Sequence, residues 1–108
     1  SLYQQPLHVL YQWTEKQFLK NTEGSAIRRI GHIQWLRNLT IAMGNAPYSA
    51  DIFEALEQRL GENELLDIHI HWAMEIQMKR RQEHAIEILP GKTKRLIRIV
   101  EKGLPRDA

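Results

Sequence analysis

The triplet Ile41-Ala42-Met43 recurs as Trp72-Ala73-Met74, an offset of about 31 residues. Around the first copy Leu36, Leu39 and Met43 lie at helical spacing. Around the second, Ile70, Ala73 and Met74 do the same. A lone helix of this kind cannot bury its apolar stripe, so it must stack on another. The pattern predicts an all-α fold of stacked helical hairpins, of the HEAT-like repeat type, as one domain over residues 1–108. Such modules offer a surface to a large partner and carry no chemistry of their own.

The punctuation along the chain sets the expected elements. Pro6 opens a first helix over about residues 6 to 20, with Leu7, Leu10, Tyr11 and Phe18 inward. Asn21-Thr22-Glu23-Gly24 ends it, and Ser25 caps a short turn through Ile30. Gly31 allows a bend before a helix from about His32 to Met43, which Gly44-Asn45 terminates ahead of Pro47. Ser49 caps a third helix that buries Ile52, Phe53, Leu56 and Leu60 and stops at Gly61. Asn63 caps a fourth, from about Glu64 to Glu83. Its Leu65, Ile68, Ile70, Trp72, Ala73 and Ile76 are apolar nearly all round, which predicts neighbours on more than one side. Two readings of the remainder stay open. Ile86-Glu87-Ile88 and Leu96 to Val100, split by Pro90-Gly91, form a possible short C-terminal β-hairpin. Alternatively Thr93 caps a last helix ending at Gly103.

Charge is distributed unevenly. From Lys79 to the end there are nine basic residues against four acidic ones, a local net of +5 in a chain whose overall net is +2. The basic segment 79–108 therefore reads as a face for an anionic partner, or as a solvated basic end. Arg28 and Arg29 follow a Gly-Ser turn at the start of a helix-like element, where N–H groups and guanidinium forks suit phosphate. Arg37 extends that patch; Lys94, Arg95 and Arg98 form the second candidate group, in the positive tail. The competing role for Arg29 or Arg37 is to brace adjacent helices through carbonyls or Glu23.

Several chemistries are excluded. Gly24, Gly31 and Gly44 match neither a P-loop nor a dinucleotide fingerprint. His69 and His71, two apart on a helix, diverge by about 200° and cannot converge on one metal ion. The chain has no cysteine, so it offers no thiolate for an iron–sulfur cluster or a zinc site, and no disulfide. No catalytic residue or cofactor site is expected. No apolar run approaches bilayer length and no signal peptide is visible, so a cytoplasmic location is expected. The start at Ser1, without methionine, fits an excised domain or a processed chain. Trp13, Trp35 and Trp72 are candidates for base stacking, with core packing expected for Trp35 and Trp72 because they sit in apolar runs.

Thr22-Glu23-Gly24-Ser25-Ala26-Ile27-Arg28-Arg29-Ile30-Gly31, then Leu36-Arg37-Asn38 and Met43-Gly44-Asn45-Ala46, resemble the C-terminal part of the epoxyqueuosine reductase family. The ending Glu101-Lys102-Gly103-Leu104-Pro105-Arg106-Asp107-Ala108 resembles the ending of the same family in some bacteria. The resemblance implies a full-length enzyme that reduces epoxyqueuosine to queuosine at the wobble position of certain transfer RNAs. It implies a cobalamin and two iron–sulfur clusters, held by a catalytic and a ferredoxin-like domain absent from this chain. A helical-repeat domain follows these and helps to hold the RNA. On that reading the chain is an accessory RNA-binding domain, inactive alone, whose partners are the transfer RNA anticodon stem-loop and the missing domains. The rival is a protein-interaction scaffold built from the same repeats.

Overall fold

A computed structural model describes residues 6–87. Its elements are α1 (Leu7–Tyr11), α2 (Glu15–Asn21), a 3-10 turn (Ala26–Ile30), α3 (Gly31–Asn45), α4 (Ala50–Gln58) and α5 (Glu64–Glu87). The fold is all-α, with no strand among the described residues.

The expected first helix is two. Thr14 leaves helical geometry and takes the N-cap of α2: its hydroxyl accepts from the Gln17 N–H at 3.2 Å, and the Gln17 side chain accepts from the Thr14 N–H at 2.9 Å. This reciprocal box satisfies two donors that a helix start leaves open. The break lets Trp13 stack on Trp35, with ring centroids 6.0 Å apart and planes 12° from parallel. Phe18, fully buried, packs against Trp35 and His32.

The later starts follow the sequence reading. The Ser49 hydroxyl accepts from the Ile52 N–H, and Asn63 Oδ1 accepts from the Leu66 N–H at 2.9 Å. The helix ends follow it less evenly. α3 ends at Asn45, as the Gly44-Asn45 pair ahead of Pro47 predicts, with Gly44 buried in its last turn. α5 continues to Glu87, so Ile86 and Glu87 are helical and do not begin a hairpin strand. Leu96 to Val100, and the alternative helix after Thr93, lie outside the described residues.

α3 and α5 run in the same direction. Ile33 and Arg37 face Leu65 and His69, Gly44 faces Trp72 and Ala73, and the Met43 carbonyl meets Gln77. α4 connects them in the chain and packs against α5 and α1, its start tied to Gln77 through Ser49 and its end leading into α5 through residues 59–63. Leu36, Leu39, Met43, Leu56, Ile70 and Ala73 are buried, and Ile76 is half-buried. The sequence echo does not mark equivalent places residue by residue. Ala42 is exposed where Ala73 is buried, and Met43 is more deeply buried than Met74; only Ile41 and Trp72 match, both partly exposed.

Gly44 is what allows the close approach of α3 and α5. A Cβ there would meet Trp72 Cζ3 at 2.6 Å and the Cα and Cβ of Ala73 at 3.1 Å. Helix propensity alone favours alanine by about 1 kcal/mol, whereas overpacking costs about 1–3 kcal/mol. Because Ala73 presents backbone as well as side chain, we expect overpacking to win. Gly44→Ala should lower the urea-unfolding free energy by about 1 kcal/mol; a stabilised variant would show that the helices part without cost.

Candidate nucleic-acid interface

The segment before α3 is built by two turns of opposite sense. Ser25 caps the 3-10 turn, its hydroxyl accepting from the Ile27 N–H at 3.2 Å, and Gly31 then takes φ +80°, which only glycine adopts freely. Arg28 and Arg29 therefore sit at the end of the 3-10 turn, not at a helix start. The Arg28 N–H is already spent on the Ser25 carbonyl, which corrects the expectation of free N–H groups at this pair. Both side chains are exposed. They lead directly into α3, whose first turn has no side-chain cap and no acidic residue. Arg37 is exposed further along the same helix. None of the three guanidinium groups makes a hydrogen bond or ion pair among the described residues.

The bracing role expected of Arg29 or Arg37 is filled by other residues. Arg59 donates to the Tyr11 carbonyl at 3.2 and 2.8 Å and to the Trp13 carbonyl at 3.3 Å, tying the end of α4 to the break between α1 and α2. Arg80 donates to the carbonyls of Gly44 and Ala46 at the end of α3. Gln77, fully buried, donates to the Met43 and Ala46 carbonyls and accepts from the Ser49 N–H. The Tyr11 hydroxyl lies 2.7 Å from Thr40 Oγ1. Burial pushes the Tyr11 phenol above its ordinary value, and the Thr40 hydrogen bond and the Arg59 charge oppose that shift.

Between the first parts of α3 and α5 is a shallow cleft of about 250 Å³, lined by Ile33, Arg37, Asn63, Leu65 and His69 among others. Trp72 lies one turn beyond it on α5. The expectation of core packing holds for Trp35, which is buried, and fails for Trp72, which is 39% exposed. Neighbours on more than one side of α5 were also expected. α3 and α4 cover part of it, but Leu65 and Ile68 stay 74% and 66% exposed.

Lys94, Arg95 and Arg98 lie outside the described residues. His69 Nδ1 sits 3.1 Å from the Leu65 carbonyl oxygen, a contact within its own helix. No group of three or more His, Cys, Asp or Glu residues suited to a metal ion occurs among the described residues. No described helix is long and apolar enough to cross a membrane. With no cysteine in the sequence, the thiolates that an iron–sulfur cluster requires are not on this chain.

No known family's sequence profile matches the chain, and no solved structure does. Curated proteins do. The chain is 55% identical over 108 residues to the epoxyqueuosine reductase of Escherichia coli K12, covering 95% of this chain and 28% of that protein. It is 59% identical over 108 residues to the epoxyqueuosine reductase of Vibrio cholerae, covering all of this chain and 28% of that protein. The Shewanella oneidensis epoxyqueuosine reductase is 51% identical over 111 residues, again across the whole chain and 27% of the relative. Along essentially its whole length, the chain is thus similar to one part, little more than a quarter, of proteins named epoxyqueuosine reductase.

Proposed function

We propose that this chain is the accessory RNA-binding part of an epoxyqueuosine reductase, a HEAT-like repeat domain that is inactive alone. Its RNA partner would be a transfer RNA anticodon stem-loop in the cytoplasm. Its protein partner would be the remainder of the same polypeptide. That remainder would hold the cobalamin and the iron–sulfur clusters in catalytic and ferredoxin-like domains. One observation carries the RNA reading: Arg28 and Arg29 stand exposed and unengaged among the described residues, directly ahead of the uncapped start of α3. Guanidinium groups left free of internal partners are available for phosphate. The tail residues Lys94, Arg95 and Arg98 are proposed to join them.

Fluorescence anisotropy with a labelled anticodon hairpin over a salt series tests this. Phosphate contacts give affinity and little base information. Arg28→Ala with Arg29→Ala should weaken matched and mismatched hairpins alike. Each lost contact should flatten the slope of log affinity against log salt by about 0.7–0.9. A folded double variant with unchanged affinity and slope removes the pair from the interface. A protein-interaction scaffold is the second reading, favoured by the exposure of Leu65 and Ile68, since apolar patches mark protein contacts. It becomes the better one if neither the Arg28/Arg29 pair nor the Lys94/Arg95 pair affects hairpin binding.

A further inference from the structure

We propose that Trp72 is a stacking platform for one unpaired nucleobase of the bound RNA, set beside the α3–α5 cleft; this rests on the RNA reading above. The indole is held from one side. Gly44 leaves open the space that a Cβ would fill at 2.6 Å from Trp72 Cζ3, so the ring lies directly against the α3 backbone. Part of the side chain remains open to solvent, with 39% of the residue exposed. A fixed, half-open indole loses little freedom when a flat partner stacks on it. By contrast Trp35 is buried, and Trp13 is half-buried in a stack with it.

The surroundings suit a base better than a phosphate. Glu75, one turn past Trp72, is exposed and would repel a phosphate, but it opposes no neutral base and can accept from an exocyclic amino group. Cations stand further off on either side: Arg37 borders the adjoining cleft, and exposed Lys79 follows Trp72 by two helical turns. A base on the indole thus has basic groups placed for the sugar-phosphate chain that enters and leaves it. Single-stranded RNA is recognised by this combination of an aromatic face and flanking positive charge.

The chain's own fluorescence supplies the assay. Trp72 is the most exposed tryptophan among the described residues, so quenching on RNA binding reports chiefly on it. An anticodon hairpin should quench emission, and the same hairpin with an abasic loop should bind with much less quenching. Trp72→Leu should abolish the quench and weaken the intact hairpin roughly 5- to 150-fold, the range for one stacked base. It should leave the abasic hairpin nearly unaffected. Trp72→Phe should restore part of the affinity, which excludes a folding defect as the cause. If intact and abasic hairpins bind and quench equally, the platform is wrong while the RNA reading stands. If no hairpin binds at any salt concentration, both fail. If Trp72 is already shielded from a soluble quencher in the full-length polypeptide without RNA, the face belongs to a protein contact and the proposal is overturned.

Discussion

Replacing Gln77 with leucine should destabilise the domain by about 3 kcal/mol, although the two side chains are similar in size. Gln77 is fully buried and joins three segments at once. Its amide nitrogen donates to the Met43 carbonyl at 2.9 Å and the Ala46 carbonyl at 3.0 Å, and its oxygen accepts from the Ser49 N–H at 3.0 Å. Leucine leaves these groups without that partner, and each unsatisfied buried group costs about 1–3 kcal/mol. The carbonyls are partly protected, because Arg80 also donates to Ala46. The Ser49 N–H has no such substitute among the described residues, so it should dominate the loss. Equilibrium urea unfolding measures the effect, and a change under about 0.5 kcal/mol would mean that water takes over these bonds without penalty.

Arg59→Met should cost about 2–4 kcal/mol, and lysine should not rescue it. The guanidinium spans two carbonyls, Tyr11 and Trp13, and its carbon lies 5.4 Å from the Tyr11 ring centroid. Hydrogen bonds to a charged group contribute about 1.5–3 kcal/mol each. A lysine ammonium is a point charge and cannot reproduce the planar fork. The other arm, to Glu62 at 2.9 Å, is a different matter. The Glu62 side chain is 56% exposed, and such surface pairs contribute about 0–1 kcal/mol. Equilibrium urea unfolding of both variants measures this, and Glu62→Ala should be nearly silent in it. If Glu62→Ala were as damaging as Arg59→Met, the carbonyl fork would depend on Glu62 to hold the guanidinium in place.

The helix starts were legible because their signals are local. Ser25, Ser49 and Asn63 each cap within two or three residues, and the structure places every one of those bonds. The missed start at Glu15 had a signal of the same kind. Thr14-Glu15-Lys16-Gln17 is a capping-box pattern, but the helical spacing of Leu7, Leu10, Tyr11 and Phe18 reads straight through it. The roles of the arginines were not legible, for a different reason. Arg59 finds a carbonyl 48 residues away and Arg80 one 34 residues away, whereas Arg28 and Arg29 find none among the described residues. Chemically these side chains are identical, and only the tertiary arrangement separates a brace from a free cation. Gly44 is a similar case: its place at the end of α3 is legible, but the close approach of Trp72 and Ala73 to it is not. The apolar run of α5 announced its packing need, but not that one side would face water.

Because α3 and α5 point the same way, their macrodipoles reinforce each other. Each helix carries roughly half a unit of positive charge at its start and the same negative charge at its end. Glu64 and Asp67 offset the start of α5, but α3 has no acidic residue in its first turn. At the far end Arg80 answers the Gly44 and Ala46 carbonyls. The domain is therefore polarised along its seam, with an uncompensated positive end beside Arg28 and Arg29. Such a field orients an approaching polyanion before any atom touches, and it decays over about 8 Å at physiological ionic strength. Added salt should consequently slow encounter more than it speeds separation.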